Sequence, residues 1–300
     1  MRNNSKRPGG KTSSPLGPRE TAKRLLRQIG AEKPRRNAVP PELAAAGGKS
    51  HSDGKVPPFR RAESGVSVLY GFHAVREALR AGRRKLLDIY ATEEAAAKLA
   101  DDIARAGLRS HVVQALDIAL RLGTGAVHQG VLLEARPLPA LDLSDIEAKS
   151  GIVLLLDQIT DPHNVGAILR TAAAFGVDAV VVTERHAPDM AGVVAKAASG
   201  GLEHVAIVTV TNLSRALERL EEGGYLRVGL DSEAAQNLAD APLRRPIALV
   251  MGGEGKGLRR LTREKCDFLL RLDMPGAIKS LNVSNACAVA LVLLQAGSGR

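Results

Sequence analysis

Between residues 66 and 137, short apolar runs alternate with longer segments in which apolar residues recur every three or four positions. The short runs predict strands at 67–71, 86–92, 110–114 and 131–136. The periodic segments predict helices at 72–82, 93–107 and 115–122. In the first of these helices, Phe72, Val75 and Leu79 form the apolar stripe expected to face a core.

A linker at 138–150 leads into a second block, whose apolar runs are continuous instead of alternating. The first run is GIVLLLD at 151–157, which is typical of a parallel strand buried on both faces. Similar runs predict further strands at 178–182, 204–210, 225–230, 246–252 and 268–272. Because helical segments separate them, we predict an α/β fold with a mostly parallel sheet covered on both sides.

The composition fits a protein of about two domains, with 300 residues of which 45% are hydrophobic. The two cysteines, Cys266 and Cys287, and the scattered histidines lack the spacing of a disulfide framework or a metal site. The longest apolar run, 286–294, is shorter than the ~18 residues of a membrane helix, and no secretory signal precedes the first block. We therefore expect a cytoplasmic protein without a metal or a membrane partner.

The net charge of +10 is concentrated at the N-terminus, because residues 1–60 carry 14 Lys and Arg against 4 Asp and Glu. This segment is rich in Pro, Gly and Ser, so we predict a disordered basic tail in which a short helix near 21–29 can form. An RNA-binding arm, an accessory tail without a specific role and a mitochondrial transit peptide are the three interpretations.

A row of basic residues also follows one face of the first predicted helix. Arg76, Arg80 and Arg83 recur at i, i+4 and i+7, and Arg84 and Lys85 continue the row. A solvated helix face and a face that contacts RNA are both consistent with this pattern.

Three segments of the second block carry candidate chemistry, and the first follows the strand at 151–157. There Asn164 is the predicted N-cap of a helix, and Arg170 lies one to two turns further on. Small residues surround Arg170 on its helix face and leave room for a substrate. Open parallel sheets bind ligands at the carboxyl ends of their strands, so Arg170 is a candidate functional residue. The alternative is a surface arginine beside an ordinary cap.

The second segment is MGGEGKGL at 251–258, with four glycines in six residues after a predicted strand. It is not a Walker A loop, because Gly257 follows Lys256, and Leu258 breaks the dinucleotide-binding spacing. Glu254 among the glycines suits the binding of a cation or a hydroxyl. A plain glycine turn is the alternative.

The third segment is PGAIKSLNVS at 275–284, which precedes a helix that is apolar on nearly every face. Ser284 is the predicted N-cap of that helix, which is expected to be buried or to form a subunit interface. Ser280 and Asn282 supply hydrogen-bonding groups just upstream. Completion of a tight turn is the alternative role for each of them.

Together and in this order, the three segments resemble the signature motifs of the SpoU (TrmH-like) family of RNA ribose 2′-O-methyltransferases in the SPOUT superfamily. Asn164 and Arg170 match its N-x5-R motif, and GGEGKGL and PGAIKSLNVS match its other two motifs. YGFHAV at 70–75 and HQGV at 128–131 resemble the L30e-like substrate-binding domain of the ribosomal RNA guanosine methyltransferases in this family. Transfer RNA members generally lack that domain.

The resemblance implies a C-terminal trefoil knot, a homodimer formed through the C-terminal helix, and S-adenosylmethionine (SAM) as methyl donor. Beside the tail at 1–60 and the linker at 138–150 that the composition predicts, it implies an L30e-like domain at 61–137 and a catalytic domain at 151–300. The residues expected around the ribose and the methyl group are Arg170, Asn164, Glu254, Ser280 and Asn282. Those expected to hold SAM through their backbone are Gly252, Leu272 and Leu281.

The implied reaction is methyl transfer from SAM to the ribose 2′-hydroxyl of a guanosine in large-subunit, 23S-type ribosomal RNA. A transfer RNA methyltransferase of the same family and a non-catalytic ribosome-assembly factor that binds RNA are the alternatives. The chain departs from many members at Asp273, since it reads Leu272-Asp273-Met274 where they have Ile-Pro-Met. The loop that binds SAM is therefore expected to differ in detail at this position.

Overall fold

The computed structural model of the chain describes Met1, Phe59 and residues 65–123, 125–146, 151–253 and 255–297. The predicted helix near 21–29, the proposed roles of the basic tail and the candidate Glu254 concern residues outside these ranges. Every element named below lies within residues 55–300, which form one compact unit.

The first block folds into a four-stranded sheet with the strand order β1-β4-β2-β3. Its strands are β1 (Ser67–Tyr70), β2 (Leu86–Ala91), β3 (Ser110–Val112) and β4 (Val131–Ala135). Its helices are α1 (Phe72–Ala81), α2 (Glu93–Lys98), α3 (Ala100–Arg105) and α4 (Ala115–Leu122). The single helix predicted at 93–107 is thus wrong, because Leu99, with φ −106° and ψ 4°, interrupts it between α2 and α3.

The second block contains a seven-stranded sheet with the order β7-β6-β5-β10-β8-β11-β9, and every pair of neighbouring strands is parallel. Its strands are β5 (Ile152–Asp157), β6 (Ala179–Thr183), β7 (Ala206–Val210), β8 (Leu226–Leu230), β9 (Gln236–Asn237), β10 (Ile247–Gly252) and β11 (Phe268–Arg271). The predicted α/β fold with a mostly parallel sheet is confirmed. The sequence did not predict β9, since a strand of two residues is too short to show a periodic pattern.

Helices cover both faces of this sheet. They are α5 (Pro162–Ala174), α6 (Gly192–Ala198), α7 (Leu213–Glu222), α8 (Arg260–Glu264) and α9 (Val283–Gly297). Leu154 and Leu249 of the sheet share a core with α5, α6 and α9, whereas Val153 and Val250 share a second core with α7. Successive residues of β5 and β10 therefore enter different cores, which explains why their sequences are apolar without interruption.

Both N-caps predicted in this block are wrong. Helix α5 begins at Pro162, and Asp161 caps it by accepting hydrogen bonds from the backbone N–H groups of His163 (2.7 Å) and Asn164 (3.4 Å). A proline is favoured at the first helical position because it has no N–H to leave unpaired, and this moves the start upstream of Asn164. Helix α9 begins at Val283, and Asn282 Oδ1 accepts from the Ser284 N–H at 2.9 Å.

The basic row that begins on α1 was predicted to be a solvated face or a face that contacts RNA. Neither prediction describes the whole row, because several of its residues pair within the protein. Arg84 forms a buried ion pair with Glu203 of the second block, and the exposed fractions of the two side chains are 1% and 2%. The Arg83 guanidinium donates to the carbonyl oxygens of Glu203 (3.1 Å) and Val205 (3.2 Å). Arg80 Nε donates to Asp102 at 2.9 Å. This part of the row therefore serves contacts within the protein, and Arg83 and Arg84 join the two sheets.

We expect the substitution Glu203→Ala to destabilise the protein by about 3–5 kcal/mol, because it leaves the Arg84 guanidinium buried without its carboxylate. Urea unfolding followed by circular dichroism measures this loss. The control is Glu94→Ala, which removes an exposed carboxylate paired with Lys98 and should leave the midpoint almost unchanged. Equal midpoints for the two variants would contradict the role assigned to Glu203.

Candidate functional site

A cavity of about 290 Å³ lies where β8 and β10 end, against the segment that leads from β11 to α9. It is close to the lower end of the ~300–1,000 Å³ range of small-molecule sites. The residues predicted to hold SAM line it together with one predicted catalytic residue: Gly252, Leu272, Leu281 and Ser280. The carboxyl ends of neighbouring parallel strands therefore assemble two of the sequence motifs into one wall.

The glycine loop that follows β10 folds closely back on itself. A Cβ added at Gly252 would lie 2.4 Å from the Gly257 carbonyl carbon and 2.6 Å from the Leu258 nitrogen. Gly257 donates its N–H to the Gly253 carbonyl at 3.0 Å and has a φ of 61°, a conformation that favours glycine. The loop thus needs glycine at 252 for its close packing and favours glycine at 257 for its positive φ.

An ion pair between a buried carboxylate and an exposed arginine holds the far end of this loop. Asp157, at the end of β5, is completely buried and accepts hydrogen bonds from Arg259 N (2.9 Å) and Nε (2.5 Å). Gly253 also donates its N–H to the Asp157 carbonyl at 2.9 Å. Sequence reasoning missed this pair, although a carboxylate directly after an apolar strand was the available signal.

The first and third motifs meet through two asparagine side chains. Asn282 Nδ2 donates to Asn164 Oδ1 at 2.8 Å, across 118 residues of sequence. Asn282 Oδ1 also accepts from the Ser284 N–H, so one side chain caps α9 and contacts α5. Asn164 and Asn282 are therefore positioned by tertiary contacts next to Leu281 of the cavity wall.

Arg170 is not among the residues that line this cavity. Its exposed side chain lines a second cavity of about 500 Å³, together with His163, Lys196 and residues of the first block that include Gln129. Asn164 follows His163, which lines the second cavity, and Asn282 follows Leu281, which lines the first. The hydrogen bond between the two asparagines therefore connects a segment of one cavity wall with a segment of the other. The structure thus brings Ser280 and Asn282 close to the first cavity, whereas Arg170 faces the second.

Three further residues line the first cavity that the sequence did not single out: Leu230, Asp231 and Ser232. Leu230 is the last residue of β8 and the other two follow it, so their position at the carboxyl end of a strand that pairs with β10 was the signal that could have found them. Asp231 is largely buried and pairs with Arg263 of α8. Its carboxylate is therefore held in a defined orientation at the edge of the cavity.

Asp273, the departure from the family pattern, does not line the cavity. Its carboxylate accepts hydrogen bonds from Asn237 Nδ2 (2.8 Å) and Arg271 Nε (2.9 Å). These contacts tie the segment after β11 to the edge strand β9. The substitution at this position therefore changes how the loop is anchored and leaves the neighbouring Leu272 and Met274 in the cavity wall.

The thiols and the acidic groups of the described residues offer little alternative chemistry. Burial raises the pKa of both Cys266 and Cys287 to about 12, so neither is a thiolate at neutral pH. Within the ranges the structure describes, no three His, Cys, Asp or Glu residues are grouped to hold a metal ion. No helix in those ranges is long and apolar enough to cross a bilayer.

Two family models match the chain, one in each of the two blocks that form its sheets. The model of RNA 2′-O ribose methyltransferase substrate binding matches residues 68–141, and that of the SpoU rRNA methylase family matches residues 151–292. A 23S rRNA (guanosine-2′-O-)-methyltransferase RlmB from Vibrio vulnificus is 40% identical over 74% of this chain and 94% of the relative. The RlmB of Pseudomonas aeruginosa is 42% identical over 74% of the chain and 93% of the relative.

Solved structures of methyltransferases also superpose on the chain. The SpoU methyltransferase AviRb from Streptomyces viridochromogenes, crystallised with its cofactor AdoMet, superposes with a TM-score of 0.66 at 25% identity. The superposition covers 79% of this chain and 92% of AviRb. An AdoMet-bound rRNA methyltransferase from Sinorhizobium meliloti has a TM-score of 0.66 at 21% identity, over 77% and 87% of the two chains, and shows the same fold.

Proposed function

The chain belongs to the SpoU family of RNA methyltransferases, and from this we propose that it methylates the ribose 2′-hydroxyl of a guanosine in 23S ribosomal RNA with SAM as methyl donor. The observation that carries the proposal is the convergence of the glycine loop and the PGAIKSLNVS segment on one cavity at the ends of β8 and β10. Relatives that span the same two blocks and act on 23S rRNA support the choice of RNA.

The cavity offers groups that suit SAM. Apolar side chains, among them Met251, Leu272 and Leu281, suit the adenine ring, and the glycine loop lets a ligand approach the backbone. Ser232 and Asp231 offer polar groups at the cavity edge. When bound, SAM supplies a methyl group that its sulfonium centre has already activated.

Because the donor is activated, the residues of the chain mainly need to position the ribose and stabilise charge on its attacking oxygen. We assign this task to Arg170. A guanidinium keeps its proton in proteins, so Arg170 orients the 2′-oxygen and stabilises its developing negative charge without removing its proton. On α5, Ala167 and Ala174 flank Arg170 with small side chains and leave space for the nucleotide, whereas Gly166 packs closely against Ala197 of α6.

The remaining predicted residues complete the site in this proposal. The amides of Asn164 and Asn282, already hydrogen-bonded to each other, present donors and acceptors to the ribose or its phosphate. Ser280 contributes a hydroxyl from the cavity wall. Glu254, which lies outside the described residues, is proposed to orient Arg170.

The proposed organisation keeps a tail at 1–60, an L30e-like domain at 61–137, a linker at 138–150 and a catalytic domain with a trefoil knot at 151–300. The two family models, at 68–141 and 151–292, support the division. The family resemblance supports the L30e-like fold and the knot. A cytoplasmic location is supported by the bacterial relatives, which act on ribosomal RNA.

A homodimer formed through α9 is also part of the proposal. Val289 and Val292 of this helix are 42% and 50% exposed, although the helix is apolar on nearly all of its faces. Its opposite side packs against the core through Cys287 and Leu291. A second copy that covers Val289 and Val292 would remove this apolar surface from water.

The proposed function predicts methyl incorporation into 23S rRNA that lacks the modification. The purified protein is incubated with radiolabelled SAM and either unmodified 23S rRNA or total transfer RNA, and the methylated position is mapped by resistance of the 2′-O-methyl site to alkaline cleavage. We expect one guanosine of 23S rRNA to be labelled. Labelling of transfer RNA alone, or of neither RNA, would contradict the proposed substrate.

A further inference from the structure

The cavity that Arg170 lines lies between the two sheets and has a volume of about 500 Å³. Its first wall comes from the start of α1 and the loop before β4, including Gly71, His73 and Gln129. Its second wall comes from α5 and α6, including Arg170 and Lys196. Residues of both domains therefore form one recess, and the volume exceeds what a single ordered water needs.

The charge of this recess is positive. Arg170 and Lys196 line it, and no Asp or Glu is among its described lining residues. Other arginines of the chain are paired, as Arg80 is with Asp102 and Arg84 with Glu203. Within the described part of the chain, neither Arg170 nor Lys196 has a carboxylate within 4.0 Å. Two cations in one recess without a carboxylate partner among the described residues favour an anionic ligand.

The polar contact that the structure gives the Lys196 side chain is with a neutral amide. Its ammonium lies 3.5 Å from Gln129 Oε1, which also accepts the Phe72 N–H at 3.0 Å. Burial lowers the pKa of Lys196, because the surroundings replace water without supplying a negative charge. An anion entering the recess would therefore gain more from this ammonium than from a fully hydrated one.

The backbone around Lys196 is shaped to bring it close to the first domain. Gln129 has a φ of 54°, a conformation that side chains rarely adopt and that is typical of functional sites when the fold enforces it. Gly71 has a φ of 90°, and a Cβ there would come within 3.1 Å of the Lys196 Nζ. The backbone conformations of Gln129 and Gly71 leave the Lys196 ammonium at the surface of the recess, with space beside it.

We propose that this recess binds a backbone phosphate of the RNA strand next to the acceptor nucleotide, with Lys196 as its phosphate-binding residue. The proposal rests on the proposed function, since Arg170 in the same recess is the residue assigned to the acceptor ribose. The phosphate bridges the substrate-binding domain and the catalytic domain, so correct docking of RNA on the first domain places the neighbouring nucleotide at Arg170. Val127 and Val193, both exposed at the recess, offer apolar surface to a flanking base.

The test is the salt dependence of RNA binding. An unmodified 23S rRNA fragment that the wild-type protein binds is titrated by fluorescence anisotropy between 50 and 200 mM KCl for the wild-type protein, Lys196→Ala, Lys196→Arg and Lys265→Ala. A lost phosphate contact reduces the slope of log K against log salt by about 0.7–0.9. We expect this loss and a roughly five- to tenfold weaker affinity for Lys196→Ala, with the wild-type slope kept by Lys196→Arg.

Lys265→Ala is the matched control, because Lys265 pairs with Glu218 at 2.6 Å, so its charge is already compensated. SAM affinity measured by calorimetry shows whether each variant is folded. A second variant, Val193→Glu, places a carboxylate on the exposed wall of the same recess and should weaken RNA binding further. A wild-type slope for Lys196→Ala, or unchanged affinity for Val193→Glu, would overturn the proposal.

The binding assay separates this proposal from the proposed function. If wild-type protein methylates 23S rRNA while Lys196→Ala keeps the full slope, the recess assignment alone is wrong. If wild-type protein methylates no guanosine of 23S rRNA but Lys196→Ala loses the contact, the proposed reaction is wrong and the phosphate site stands.

Discussion

The substitution Arg170→Ala should reduce methyl transfer by roughly 10²–10³-fold while SAM affinity stays within a few-fold of wild type. Removing one preorganised donor from the position where charge develops has an effect of this size in other enzymes. SAM affinity should persist because Arg170 lines the recess between the domains and not the cavity that contains Gly252, Leu272 and Leu281. Single-turnover methylation and calorimetry with SAM measure the two effects separately.

Two further variants make this result specific. Arg170→Lys keeps the positive charge but loses the planar fork of donors, so it should recover only part of the activity. Arg215→Ala removes an exposed arginine from α7, on the opposite face of the sheet, and should leave activity unchanged. Loss of SAM binding in Arg170→Ala would show that this residue acts on the cofactor site, against the role proposed here.

The substitution Gly252→Ala should lower SAM affinity by roughly 10- to 100-fold. Its Cβ would lie 2.4–2.7 Å from backbone atoms of Gly257 and Leu258, so the loop that lines the cavity has to move. Overpacking of this kind costs about 1–3 kcal/mol, and each 1.4 kcal/mol corresponds to about tenfold in affinity. Isothermal titration calorimetry with SAM measures the change directly.

Gly276→Ala is the matched control for the added methyl group. It lies in the segment that leads to Ser280, its φ is not in the left-handed region, and its Cβ would meet no atom within 4 Å. This variant should therefore bind SAM as the wild type does. If Gly252→Ala also bound SAM normally while remaining folded by circular dichroism, the glycine loop would not belong to the cofactor site.

The elements of the fold were predictable because the signal for them is local. The run GIVLLLD indicated a strand at 151–157, and β5 occupies Ile152–Asp157. The segment 115–122 was predicted as a helix, and α4 occupies Ala115–Leu122. The predicted N-caps were wrong because neighbouring residues fill those positions. Pro162 and Asp161 set the start of α5, and Asn282 caps α9 in place of Ser284.

The candidate site was predictable in composition and less so in arrangement. The motifs identified Gly252, Ser280 and Leu281, which line one cavity. Nothing in the sequence indicated that Arg170 would face a different cavity with Lys196. The role of Lys196 was missed because a single lysine within GVVAKAAS has no pattern that separates it from a lysine on a solvated surface.

The sequence by itself thus determined every strand except β9, most of the helices, the α/β class and the residue types available for chemistry. The information that predicts strands and helices lies in periodicity and turn chemistry over a few neighbouring residues. Only the tertiary structure decided which distant residues meet, such as Asn164 with Asn282 or Arg84 with Glu203, 119 residues apart. Those contacts depend on the order of strands in the sheet and on the docking of the two domains, and no local pattern in the chain encodes either one.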